Sequence, residues 1–149
     1  MNRLTLRELP QQTVYGLHIA SGDRTQSRDI PALAGRFHKA TGTAPGSVLP
    51  FYVVSRDYDP ESGSFTLFVG GSCGPEREIL PAGTYAVLPI RPRFSFLWGA
   101  AVGAAKRRFY RNWLPESDYE SLNFEYELHT EAGRRPAGEL RFRIRRKLP

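Results

Sequence analysis

The chain has 149 residues, 40% of them hydrophobic and 24% charged, a length that buries roughly 70% of the unfolded surface around a single core and makes two independent domains unnecessary. Fourteen Gly and twelve Pro imply many turns and disfavour a long helical bundle. The net charge of +6 raises nucleic-acid binding, but 18 of the 21 basic residues are Arg spread from Arg3 to Arg146, so sequence-specific DNA recognition by this chain alone is not expected.

The longest charge-free run, residues 40–55, carries two Gly and two Pro in sixteen residues, too short and too broken for a bilayer-spanning helix. MNRLTLRELPQQ lacks the apolar core of a signal peptide, which leads us to expect a cytoplasmic chain without membrane association. One cysteine, Cys73 in GGSCGP, excludes an intramolecular disulfide and reads as a structural thiol. His18, His38 and His129 are scattered without metal-binding spacing, so neither a metal nor a cofactor is expected.

In chain order, TVYGLHIA (13–20) alternates and is bounded by SGD, which predicts a strand. DIPALAGRFHKATG predicts a short amphipathic helix, with Asp29 as N-cap, Pro31 in the first turn, Ile30, Leu33 and Phe37 on one face and Gly42 as terminator. FYVVSRDY (51–58) and FTLFVGG (65–71), joined by DPESG, predict a hairpin. TYAVLPI (84–90) then repeats the first strand. SFLWGAAVGAAKRRFYRNWLP sets Trp98, Val102, Ala105, Phe109 and Trp113 at helical spacing, with Ser95 as cap and Pro115 beyond the end; this stripe reads first as core and second as pocket wall. NFEYELHT (123–130) and ELRFRIRRKL (139–148), joined by EAGRRPAG, predict a second hairpin.

The order β-α-β-β therefore occurs twice, with Leu17 matching Leu88 at an offset of 71 and Phe37 matching Phe109 at 72. One helix and three strands cannot bury both faces, so the two units, about 4–75 and 76–149, are expected to pack as one α+β domain. Six principal strands, mainly antiparallel, would be related by a pseudo-two-fold axis, with a ligand cleft between the repeats.

ELPQQTVYGLHIA, DIPALAGRFHKATG, FTLFVGG, LPAGTYAVLPI, RNWLPESDYE and NFEYE, in this order over nearly the whole chain, resemble the GyrI-like small-molecule-binding domain, also called the AraC-type effector-binding domain. The resemblance implies a pocket between the repeats for bulky, often cationic and aromatic compounds, with a central glutamate facing the ligand. Many members are effector domains of transcription regulators, and others stand alone. With the first strand beginning by about residue 4, no helix-turn-helix precedes it here, so the stand-alone group is the expected one and operator reading would need a partner regulator.

The family glutamate carries over onto Glu125 in NFEYE; the competing reading is a cross-strand charge pair, in which Glu125, Glu127 and Glu139 meet Arg141, Arg143 and Arg145, and Glu127 is assigned to that role. Where family members place Trp in the two helices, this chain has Ala34 and Lys106, again at an offset of 72. A family tyrosine aligns with Ser55 and a glycine with Val53, while Tyr52 and Tyr58 remain. If Lys106 points inward, its ammonium can pair with Glu125 and cancel the charge that selects cations; as part of KRRFYR it can equally lie on a solvated face. The expected ligand-binding set is Glu125, Lys106, Tyr52, Ser55, Ala34, Phe37 and Tyr110.

The leading expectation is a sensor or sequestering protein for a small aromatic or amphipathic molecule. A hydrolase of strained electrophiles is the alternative, since a few stand-alone members have that activity: Glu125 would act as general base and Tyr52 or Tyr126 would orient the substrate. A third reading, an adaptor with an Arg-rich surface, accounts for the charge but not for the cleft.

Overall fold

A computed structural model describes residues 3–149. The alternating segments form eight strands: β1 (Thr5–Leu9), β2 (Gln12–Gly22), β3 (Phe51–Asp59), β4 (Ser64–Gly71), β5 (Glu76–Leu80), β6 (Gly83–Ile90), β7 (Tyr119–Glu131) and β8 (Ala137–Arg146). All pair antiparallel in one sheet of order β1-β6-β8-β7-β3-β4-β2-β5. Two strands, β1 and β5, exceed the six principal ones expected. Each is a five-residue edge strand, and each pairs across the duplication: β1 joins β6 of the second half and β5 joins β2 of the first. The unit is thus β-β-α-β-β, with the two halves interlocked by exchanged edges. Read from either end, the sheet sets β1 against β5, β6 against β2, β8 against β4 and β7 against β3, so a pseudo-two-fold axis passes between β3 and β7.

The two faces of the sheet are buried in different ways. One carries both helices. The other closes on itself, clustering Val14, Val54, Phe68, Leu80, Tyr85 and Val87 from both halves. Gly16 on β2 sits opposite Gly70 on β4, where a Cβ on Gly16 would lie 1.8 Å from the Val69 carbonyl oxygen and one on Gly70 2.1 Å from that of Tyr15. Glycine alone permits that approach and the tight bend it accompanies.

On the helix-covered face, α1 (Gln26–Thr41) packs Leu33 and Phe37 onto Val53, Leu67 and Val69, and α2 (Trp98–Arg107) packs Val102 onto Leu88 and Leu140. Helix α1 begins earlier than its residues suggested. Thr25 takes the N-cap position, and Asp29 lies within the first turns, accepting from Ser21 Oγ at 2.9 Å rather than capping. Pro31 consequently stands inside the helix, while Gly42, at φ 68°, terminates it in the left-handed conformation as expected. A 3₁₀ turn, Ser95–Leu97, precedes α2, so Ser95 is no side-chain cap. Beyond Arg107 the chain widens into a π-helical stretch, Arg108–Trp113, and a final turn that contains Pro115. Phe109 anchors this stretch by stacking on Phe142 with centroids 3.9 Å apart. Among the described residues no helix is long and apolar enough to cross a membrane.

Candidate functional site: the groove between the two helices

The central strands β3 and β7 set Phe51 opposite His129, Val53 opposite Glu127 and Ser55 opposite Glu125. Alternate residues of a strand share a face, so these six form the floor between the helices, whereas Tyr52, Val54, Tyr126 and Leu128 enter the opposite core. Above the floor, four-residue steps place Gln26, Ile30, Ala34 and His38 along α1, and Trp98, Val102, Lys106 and Tyr110 along α2 and its π-helical continuation. The two stripes correspond at an offset of 72. They leave a cavity at each end of the groove, one polar and one aromatic.

The polar cavity, about 550 Å³, is lined by Gln26, Ser55, Tyr58, Phe65, Lys106, Tyr110, Asn123 and Glu125 among others. Paired bulges splay the central strands at its mouth, between Arg56 and Asp59 on β3 and between Ser121 and Glu125 on β7. Asp57 and Asn123 take φ values of 59° and 58° there, a conformation that short polar side chains tolerate. The Asn123 amide accepts from the Tyr58 N–H at 2.8 Å and donates to the Tyr58 carbonyl at 2.9 Å, supplying the main-chain partners that the bulges remove.

At its base the Lys106 ammonium lies 2.9 Å from Glu125 Oε2, with 29% and 15% of the two side chains exposed. The Tyr110 hydroxyl donates to Glu125 Oε1 at 2.6 Å, reached from the π-helical stretch that follows Lys106. Next along β7, Glu127 Oε1 accepts from Trp98 Nε1 at 3.0 Å and lies 3.2 Å from His129 Nε2. Burial favours neutral Lys106, but the charges of Glu125 and Glu127 outweigh it and hold the ammonium above its usual range. Burial likewise pushes Glu127 up, and the hydrogen bond and charge of His129, with the charge of Lys106 and the Trp98 donor, bring it below the ordinary carboxylate range. Burial and then the Glu125 charge push the Tyr110 phenol well up.

Four of the seven expected residues, Glu125, Lys106, Ser55 and Tyr110, thus line one cavity. Ala34 is half-buried on the α1 stripe and lines neither cavity. Phe37 is buried core, 5.8 Å from the Phe51 ring. Tyr52 lies on the opposite face, accepting from Gln12 Nε2 at 2.9 Å, because its position on β3 is out of phase with Ser55. Tyr126, adjacent to Glu125, points away from it for the same reason, so neither tyrosine can orient a substrate at Glu125. The cross-strand charge reading is also corrected. Glu125 and Glu127 sit opposite Phe142 and Leu140 on β8, while Glu139 meets Arg7 at 2.6 Å and Arg141 at 2.8 Å on the other face. Gln26, Tyr58, Phe65 and Asn123 are additions. Period-two alternation from Ser55 was a signal for none of them except through the face it defines; Asn123, at the head of NFEYE, carried the left-handed preference of Asn.

Three solved structures share this fold over nearly the whole chain. SAV2435 bound to tetraphenylphosphonium matches with a TM-score of 0.70 at 11% identity, covering 96% of this chain and 94% of that one. A putative bacterial transcription regulation protein from Staphylococcus aureus MU50 matches at 0.70 and 9%, covering 96% and 98%. The EcmrR C-terminal domain matches at 0.59 and 17%, covering 99% of each chain. The fold is that of a GyrI-like effector-binding domain. No family model and no curated protein matches the sequence.

Proposed function

We propose that the protein binds an uncharged amphipathic molecule with an aromatic body in the polar cavity between α1 and α2, as a sensing or sequestering module linked to transcription regulation. One observation carries the reading: both oxygens of Glu125 are already engaged from within the chain, Oε2 by Lys106 and Oε1 by Tyr110. The resulting site presents polar groups whose charge is internally compensated, and an incoming cation would have to displace a bonded ammonium. Its volume falls within the roughly 300–1,000 Å³ of small-molecule sites. Phe65, Tyr58 and Tyr110 offer aromatic surface, and Ser55, Gln26 and Asn123 offer donors and acceptors for a polar head. The tetraphenylphosphonium complex of SAV2435 and the regulatory description of the staphylococcal protein support binding and the regulatory link.

The test is a thermal-shift screen with matched cationic, uncharged and anionic aromatic compounds, repeated on Ser55→Trp, which fills the cavity from its floor. A ligand at about 100 times its Kd adds about 2.7 kcal/mol. Uncharged compounds should raise the melting temperature of the native chain and leave that of Ser55→Trp unchanged. Equal shifts in both proteins, or none in either, would overturn the reading.

A further inference from the structure

At the other end of the groove, where the C-terminus of α1 meets the N-terminus of α2, lies the aromatic cavity, about 270 Å³. Its rings form two stacked pairs. His38 lies over Phe51 with centroids 5.8 Å apart and planes inclined by 18°, and Trp98 lies over His129 at 4.3 Å and 28°. Phe51 and His129 meet edge-on at 5.8 Å and join the pairs across the β3–β7 seam. Val48 and Leu49 complete the wall.

Three of the four rings are also tethered through their nitrogens. Trp98 Nε1 donates to Glu127, His129 Nε2 lies 3.2 Å from the same carboxylate oxygen, and His38 Nδ1 lies 2.9 Å from Thr43 Oγ1. Walls fixed in this way lose little freedom when a ligand enters. Flat faces take flat rings by offset stacking, and the volume limits the ligand to one or two fused rings. The charge around the cavity has one sign: Glu131 lies in the wall, Glu127 lies behind Trp98 and His129, and neither Lys nor Arg is among the lining residues. Trp and Phe faces attract cations, more strongly where water is excluded.

We propose that this cavity is a second ligand site, separate from the polar one, that takes flat aromatic cations of one or two fused rings. The two cavities share no lining residue, so the proposal stands apart from the function assigned to the polar site.

The test is calorimetric titration of the full chain with N-methylquinolinium chloride and, as its anionic counterpart, 2-naphthoate. Tryptophan fluorescence of a Trp113→Phe variant, in which Trp98 is the one remaining tryptophan, reports the location. The cation should bind saturably and quench Trp98, and 2-naphthoate should bind at least about tenfold more weakly. His38→Ala, which removes one wall, and Leu49→Phe, which narrows the cavity from its exposed edge, should each weaken the cation by about fivefold or more, because each disturbs the stacking surface. Tyr110→Phe, in the polar cavity, should leave it unchanged. Equal affinity for the two compounds, absence of saturable binding to the native chain, or loss of binding in Tyr110→Phe with retention in His38→Ala would overturn the proposal. Circular dichroism of both wall variants separates lost binding from lost folding, and the native-chain comparison of the two compounds decides the outcome even if a variant fails to fold.

Discussion

The Lys106 ammonium and the Glu125 carboxylate meet at 2.9 Å across the floor of the inter-helix groove, and the same ammonium lies in the field of Glu127. One cation therefore serves two carboxylates. This asymmetry decides what each deletion leaves behind: removing Glu125 leaves Lys106 with Glu127, whereas removing Lys106 leaves two carboxylates beneath α2 without it.

Lys106→Met should accordingly cost more stability than Glu125→Gln, about 2–3 against about 1 kcal/mol, below the 3–5 of a fully buried pair because Lys106 is partly exposed. The double variant should recover about 1 kcal/mol or more of the summed loss, since contacting groups are non-additive. Urea melts of the four proteins measure this coupling.

Tyr110→Phe keeps the ring and deletes the 2.6 Å bond to Glu125. A loss of about 1 kcal/mol is expected for that bond, at the lower end because Tyr110 is partly exposed. In spectrophotometric titration, Glu125→Gln should bring the Tyr110 phenol down towards the ordinary range without reaching it, because burial, the larger cause, persists.

Stability should fall with acid through Glu127. Its folded-state pKa lies below the unfolded value near 4.5, so the folded chain binds fewer protons in that window. The contribution is complete above the unfolded pKa and is lost as pH falls through the folded one. Melting temperatures between pH 6 and pH 3 should therefore decline less steeply in Glu127→Gln than in the native chain, a range to be read as approximate for a buried carboxylate.

Asn123→Ala removes both hydrogen bonds to the Tyr58 backbone and places Ala at a φ of 58°. A cost of about 2 kcal/mol is expected from the left-handed conformation and the two bonds together. Chemical denaturation gives the number, and Asn123→Gly, which relieves only the conformational part, should recover part of it.

The repeated strand-helix-hairpin order was legible because its alternation and helical spacing recur in both halves. The edge strands were not. TLREL and EREIL are short, charged and exposed on alternate residues, so they resemble connections, although Leu9-Pro10 before Thr13 and Leu80-Pro81 before Thr84 carry the repeat. At the site, Glu125, Lys106, Ser55 and Tyr110 were legible from resemblance, period two and helical spacing. Tyr52 was misplaced because the phase of β3 relative to the helices is set by tertiary packing: Val53 faces Leu33 and Phe37, which turns Tyr52 away. Both Trp98 and His129 were visible, but their stacking depends on the β3–β7 register, which hairpin patterns alone do not fix.

The most direct test of an internally compensated site is calorimetry with tetraphenylphosphonium, a cation too bulky for the aromatic cavity, on the native chain, Lys106→Met and Lys106→Met/Glu125→Gln. The native chain should bind it weakly, Lys106→Met at least about tenfold more tightly, a gain of about 1.4 kcal/mol once the carboxylates are released, and the double variant weakly again. Equal affinity for the native chain and Lys106→Met would contradict the account, because Lys106 would then not occupy the place of a cation.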